Sequence, residues 1–230
     1  MKFDGQSIQC SMLDGAIAEL RFDLQGDSVN KFNKATLAEL GEALALVKAE
    51  SGVKGLLVTS GKDSFIVGAD ITEFIDYFKN PEDQLVAWIL EVHKLFSTVE
   101  DFDFPTVTAI NGLALGGGLE FALCTSYRVM SSDTKIGLPE TKLGIFPGWG
   151  GTVRLSRLAG ADNAIEWIAG GEQYDAETAL KTGVVDAVVA PEKVRDGALN
   201  LLGQAIAGKR DWKARRLEKI SPLKLNPVET

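Results

Sequence analysis

The sequence predicts an α/β domain, on three observations. Strand-like apolar runs alternate with amphipathic helical segments along the chain. Hydrophobic residues make up 45% and charged residues 24% of the 230 residues, the balance of a folded globular chain that can bury a sizeable core. Nine of the 24 glycines fall within residues 112–151. Glycine weakens regular elements, so such crowding marks backbone geometry with a purpose.

The elements follow in order. SIQCSML and AIAELRFDL flank Asp14-Gly15 and read as a hairpin over 7–24 with a two-residue turn. Leu37, Leu40, Leu44 and Val47 share one face of a helix over 34–49. Gly55–Ser60 is a short buried strand. Residues 83–99 form a second helix, with Leu85, Ile89, Val92, Phe96 and Val99 on one core stripe. Pro105 stops any helix before it and opens the strand TVTAIN, followed by a Gly-rich turn and a helix from about Gly117 to Thr125. Tyr127–Ser131 and KIGLPE are extended pieces. Helices near 151–158, 162–169 and 175–182 lead to a strand VVDAVVA at 184–190 and a helix at 192–207. No repeat of fixed period is visible.

Composition removes several function classes. The net charge is −8, against the basic footprint of nucleic-acid binding, so no nucleic acid is expected. Two isolated cysteines, Cys10 and Cys124, form neither a zinc spacing nor a disulfide framework and suit a reducing, cytoplasmic compartment. The only imidazole is His93, on a helix beside its apolar stripe and read as structural. No metal site is expected. The N-terminus MKFDGQSIQC lacks the apolar stretch of a signal peptide. The longest uncharged run, Phe104–Leu119, has 16 residues and is broken by Pro, Asn and Gly, so no integral membrane segment is expected. Lys209–Thr230 carries a net +4 while residues 1–208 carry −12, which marks the tail as a basic exit linker.

The glycine motifs fit no nucleotide fingerprint. GLALGGGLE (112–120) lacks the third glycine of G-x-G-x-x-G, and Gly61-Lys62-Asp63 lacks the spacing and hydroxyl of a P-loop. A Gly-rich turn that opens a helix does present free N–H groups and a positive dipole end, which suit a developing oxyanion. FIVGAD (65–70) supplies a second such turn after a strand. Glu120 lies in the first turn after the triple glycine, and Glu140 follows Pro139 before the loop KLGIFPGWGG (142–151). A carboxyl among apolar groups can hold a proton near neutrality, and two in one pocket can divide acid and base roles. On the residues alone, solvated or helix-capping glutamates remain the alternative.

Four strings, FDLQGDSVNKFN (22–33), SFIVGADITEF (64–74), PTVTAINGLALGGGLEFAL (105–123) and IGLPETKLGIFPGWGGTVRL (136–155), resemble the crotonase superfamily, specifically the enoyl-CoA hydratases. The resemblance covers essentially the whole chain. It implies a ClpP/crotonase-like spiral of ββα units. It implies that Ala69 and Gly117 donate N–H groups to a thioester oxygen, that Glu120 and Glu140 are the catalytic carboxylates, and that Gly148 helps place the attacking water. Val67, Ile71 and Lys31 become candidates for substrate binding, and Lys62 a further one for the anionic end of coenzyme A. Trp149, between glycines, is a candidate for the acyl pocket, and Cys124 for the core.

The implied activity is hydration of trans-2-enoyl-CoA in fatty acid β-oxidation, with Δ3–Δ2-enoyl-CoA isomerisation on the same carboxylates. The tail resembles the connecting segment of multifunctional members. Residues 1–208 are then the hydratase/isomerase domain, and 209–230 leads toward a 3-hydroxyacyl-CoA dehydrogenase portion absent from this sequence. No cofactor is implied for the domain itself, and NAD only for the dehydrogenase portion. A thiolase β subunit is the implied partner of the full complex. Two other readings are other thioester chemistry on the same oxyanion site and an isolated domain that binds acyl-CoA but turns it over poorly.

Overall fold

The computed structural model describes residues 1–223, apart from the side chains of Phe74 and Ile75. The chain runs β1 (Lys2–Asp4), β2 (Ile8–Leu13), β3 (Ile17–Phe22), α1 (Lys34–Ala49), β4 (Gly55–Ser60), α2 (Ile71–Tyr77) and α3 (Glu82–Glu100). It continues through β5 (Thr106–Ile110), β6 (Ala114–Leu115), α4 (Gly117–Ala122), β7 (Tyr127–Ser131), β8 (Lys135–Gly137) and a 3-10 turn, Pro139–Leu143. Then come α5 (Gly151–Ala159), α6 (Ala161–Gly170), β9 (Gln173–Asp175), α7 (Ala176–Lys181), β10 (Ala187–Val189), α8 (Val194–Ile206) and α9 (Trp212–Ile220).

The central sheet has the order β1-β2-β3-β4-β5-β7-β10, antiparallel through β3 and parallel from there on. Strand residues alternate between two cores, as the period of two requires. In β4, Leu56 and Val58 enter the larger core under α1, α3 and α4, while Leu57 points to the opposite face. That face is closed by Val194, Ala198, Leu201, Leu202 and Ala205 of α8. β6, β8 and β9 form a second, three-stranded sheet.

The predicted strands and helices are present, with five differences. The extended piece predicted over KIGLPE stops at Gly137, because Pro139 starts the 3-10 turn that carries Glu140. The hairpin loop is Asp14-Gly15-Ala16, three residues rather than two, because Leu13 pairs with Ile17. That register sets buried Ile8 and Cys10 opposite buried Phe22 and Leu20, and a slip of one residue would turn these side chains to solvent. Ala16 adopts φ 62° in consequence. The strand predicted over 184–190 is only β10, because the Val184 and Val185 N–H groups are drawn off to the Ala179 carbonyl at the end of α7. The apolar stripe of the second helix splits: Val92, Phe96 and Val99 are core, while Leu85 and Ile89 face a cavity. Residues 212–220, predicted as linker, are the helix α9, capped by Asp211 Oδ1 accepting from Ala214 N at 2.9 Å and packed on α5. The remainder of that linker, residues 224–230, lies outside the described residues. Among the described residues no helix is long and apolar enough to cross a membrane.

Candidate active site

A cavity of about 400 Å³ opens where the loop after β4, the start of α4, the 3-10 turn and helix α3 meet. Its wall includes Val67, Gly68, Ala69 and Ile71 from the first, Gly116, Gly117 and Glu120 from the second, and Pro139, Glu140 and Phe146 from the third region. Leu85, Trp88 and Ile89 of α3 complete it, together with Gly148 and Trp149.

The triple glycine is what brings two of these walls together. Leu115 N donates to Ile66 O at 3.0 Å, and Ile66 and Ala114 form a parallel bridge. A Cβ on Gly118 would lie 2.1 Å from the Ile66 carbonyl oxygen, and one on Gly117 would lie 2.5 Å from the Trp149 ring. Gly116 itself sits at φ 51°, a conformation that favours glycine. A side chain at Gly118 would push α4 off the 65–69 segment. The packing aligns two donors. Phe32 takes up the Gly68 carbonyl and the Asp70 N–H, which leaves the Ala69 N–H on the other edge. Gly117 N opens α4 and has no partner one turn back. Both residues line the cavity.

Glu120 is 2% exposed. Its Oε1 accepts from Trp149 N at 2.8 Å and Gly151 N at 2.7 Å, so the Gly-rich loop after residue 146 wraps the carboxylate. Glu140 is 8% exposed, on the 3-10 turn started by Pro139, and its Oε2 is buried with no hydrogen-bond partner. A Cβ on Gly116 would lie 3.1 Å from Glu140 Oε1, so this carboxyl abuts the start of α4 from the other side. Burial pushes both carboxyls up, Glu120 to about 8 and Glu140 to about 7, and the neighbouring Glu140 charge adds to the rise at Glu120. The two N–H bonds and the Arg154 cation act in the opposite sense on Glu120, favouring its ionised form. At these values the two carboxyls together hold a proton near neutral pH, with Glu120 the higher of the two.

The whole site lies inside a region with known likenesses. Residues 14–225 match the family model described as enoyl-CoA hydratase/isomerase. The chain belongs to the enoyl-CoA hydratase/isomerase family. Among curated proteins, the fatty acid oxidation complex subunit alpha of Pseudomonas syringae pv. syringae is 60% identical over 229 residues, all of this chain and 32% of that protein. The corresponding subunit of Pseudomonas entomophila is also 60% identical over the same share. The chain thus spans about a third of the length of the curated relatives it matches. Among solved structures, an enoyl-CoA hydratase from Bacillus anthracis superposes with TM-score 0.80 at 30% identity, over 94% of this chain and 81% of that one. The fold is the crotonase type that the resemblance implies.

In this enoyl-CoA hydratase/isomerase domain, Ala69, Gly117, Glu120, Glu140 and Gly148 lie on one cavity, as do Val67 and Ile71. Lys31 does not line it. Its Nζ lies 2.9 Å from Asp27 and 3.1 Å from Asp70, and Lys62 is held 3.2 Å from Asp23. Trp149 forms part of the wall and packs edge-on against Phe32, Phe96 and Trp88, at centroid distances of 5.9, 5.8 and 5.8 Å. Cys124 is core, its Sγ donating to Glu120 O at 3.3 Å. His93 hydrogen-bonds the Gly148 backbone, and burial and the Arg154 charge hold it below its usual range. No group of three or more His, Cys, Asp or Glu side chains able to hold a metal is gathered among the described residues.

Two sets of residues escape sequence reasoning. Leu85, Trp88 and Ile89 line the cavity, yet their helical spacing is the same as that of core positions. Arg154, Glu100 and Lys219, behind Glu120, are far apart in sequence and read as ordinary surface charges. Only the uncommon placement of Arg154 in the apolar stretch after the Gly-rich loop was a signal.

Proposed function

We propose that the domain hydrates trans-2-enoyl-CoA and isomerises Δ3- to Δ2-enoyl-CoA, using only its own side chains and backbone. One observation carries the reading: two buried glutamates and the two residues whose N–H groups serve as oxyanion donors, Ala69 and Gly117, line the same cavity. Addition of water at C3 places negative charge on the thioester oxygen. Ala69 and Gly117 would each stabilise that charge by about 3–4 kcal/mol, the worth of one such donor. Glu120 takes a proton from water while its Oε1 stays held by Trp149 and Gly151. Glu140 delivers the shared proton to C2. In dehydration the roles reverse, so one proton on the pair serves both directions. The Gly148 N–H helps place the water, and Val67 and Ile71 face the thioester arm. Lys31, tied to two aspartates, is the least direct of the proposed substrate contacts.

The relatives' name extends the reading. We place the chain in fatty acid β-oxidation in the cytoplasm, as a piece of such an alpha subunit. The dehydrogenase portion with its NAD and a thiolase β subunit belong to that full assembly. The segment after residue 208 would lead to it.

Loss of enoyl absorbance with crotonyl- and decenoyl-CoA tests the reading. Turnover should fall ~10²–10⁴-fold in both Glu120→Gln and Glu140→Gln. Near wild-type rates in both would remove the role assignment. A second reading, a domain that binds acyl-CoA but turns over poorly by itself, is favoured by the exposed Phe78, Leu143 and Phe146 on the cavity wall. Calorimetric binding without measurable hydration would support it.

A further inference from the structure

Behind Glu120, on the side away from the cavity, three charged side chains from three helices form a connected chain, two buried cations bridged by the half-buried Glu100. Arg154 of α5 donates from Nη1 to the Trp149 carbonyl at 2.9 Å, the same residue whose N–H holds Glu120. Its Nε and Nη2 donate to Glu100 Oε2 at 3.0 and 2.7 Å. The other oxygen, Glu100 Oε1, lies 3.6 Å from Lys219 Nζ. Lys219 belongs to α9 and is 7% exposed. It donates to Leu123 O at 2.6 Å and Thr125 O at 2.7 Å, carbonyls at the C-terminal end of α4. Cations at a helix C-terminus suit its dipole and satisfy carbonyls that have no partner within the helix.

We propose that Lys219 and Arg154, bridged by Glu100, are positioning residues for the hydration reaction: together they clamp the back of α4 and the 147–151 loop and so fix Glu120 and the Gly117 donor. Two ends of one short helix are involved. Gly117 opens α4, Glu120 lies in its first turn, and Lys219 holds the carbonyls just beyond its last turn. Arg154 holds the loop that grips Glu120. Neither cation touches the cavity, since neither is on its wall.

The clamp also sets charge. The Arg154 cation favours the ionised form of Glu120, and Lys219, when protonated, adds to the positive charge behind it. The other titratable groups near this cluster include Glu140 on the 3-10 turn, His93 of α3, the Cys124 thiol just after α4, Arg216 of α9, on which the Glu100 charge acts, and Arg128 of β7 paired with Asp186. Cys124 is pushed up to about 12 by burial and stays neutral. Burial and then the Arg128 charge lower Lys219 to about 7, while Glu100 pulls it in the opposite direction. Glu140 stands apart from the clamp.

The inference rests on the hydratase reading, and the test separates the two. Lys219→Met keeps the stem and removes the charge. It should lower kcat for crotonyl-CoA at least tenfold, leave KM within twofold, and move the acid limb of the kcat profile up by about 0.5 pH unit or more. Arg154→Lys keeps the charge but loses the fork that reaches both Glu100 and Trp149. It should lower kcat at least fivefold with the acid limb in place. A merely structural role would not split the two profiles in this way. Infrared titration of the Glu120 carboxyl, assigned with Glu120→Gln, reads the same shift without turnover. An infrared shift in a chain that does not hydrate would sustain the clamp and overturn the function. Wild-type kcat and an unmoved limb in both folded variants would overturn the clamp. Should Lys219→Met fail to fold, Arg154→Lys decides: kcat within twofold of wild type overturns the proposal.

Discussion

Glu120 and Glu140 are the same residue on the same cavity, held in opposite ways. Glu120 sits in a short helix, gripped by two N–H groups of one loop and backed by Arg154. Glu140 sits on a 3-10 turn with one oxygen buried and unpartnered. Hydrogen bonds from N–H groups favour a carboxylate, and an unpartnered oxygen in an apolar pocket favours the acid. The difference teaches that surroundings tune one side chain in opposing directions: burial lifts Glu120 to about 8, above Glu140 at about 7, while its two N–H bonds and Arg154 pull it back toward the ionised base.

The strongest way to break this comparison is to run both reactions on both variants. Hydration needs both carboxyls, whereas a double-bond shift can be served by the one carboxyl that faces C2. Glu140→Gln should depress hydration and Δ3–Δ2 isomerisation alike by ~10²–10⁴-fold, and Glu120→Gln should depress hydration at least tenfold more than isomerisation. Product analysis with 2- and 3-enoyl-CoA decides, and equal loss in all four measurements would dissolve the division of roles.

Next in size is a contrast between two glycines of the site. Gly117→Ala places a Cβ 2.5 Å from the Trp149 ring and should cost ~1–3 kcal/mol in denaturant unfolding, with turnover down tenfold or more. At Gly148 the nearest atom to such a Cβ is Phe146 O at 3.8 Å, so Gly148→Ala should stay within ~0.5 kcal/mol of wild type.

The pair also sets pH behaviour. Both carboxyls are raised in the folded state from an ordinary 4.5, so the stability they confer is full below that value and is lost as pH rises through about 7 to 8. The Tm of Glu140→Gln relative to wild type should therefore climb between pH 5 and 8. Hydration should fall on the alkaline side once the shared proton is gone, and a flat Tm difference would contradict the raised values. The smallest effect belongs to Lys31→Ala. With its charge already matched by Asp27 and Asp70, KM for crotonyl-CoA should rise less than about threefold.

Much of this was legible in the sequence because its causes are local. Apolar periodicity marks α1 and the core half of α3, Pro105 marks the start of β5, and the triple glycine marks a close approach that the Ile66 carbonyl and the Trp149 ring then explain. What escaped has causes elsewhere in the chain. β6 has two residues, and β9 is a polar QYD paired to β8. α9 reads as a charged linker, since Leu217 and Ile220 stay exposed and its anchor is a lysine. Nothing within residues 212–220 announces that Lys219 will meet carbonyls some ninety-five positions earlier. Likewise Leu85 and Ile89 share a stripe with Val92 and Phe96, and only the fold decides which of them meet a cavity.

That lysine has a consequence for how the protein is made. Chains emerge from the ribosome N-terminus first and fold in pieces as they do. Glu120, the glycines and the sheet beneath them are all synthesised well before α9. If Lys219 fastens the catalytic helix, the nascent domain can be nearly folded and still be slow. Its full rate would come only when α9 arrives.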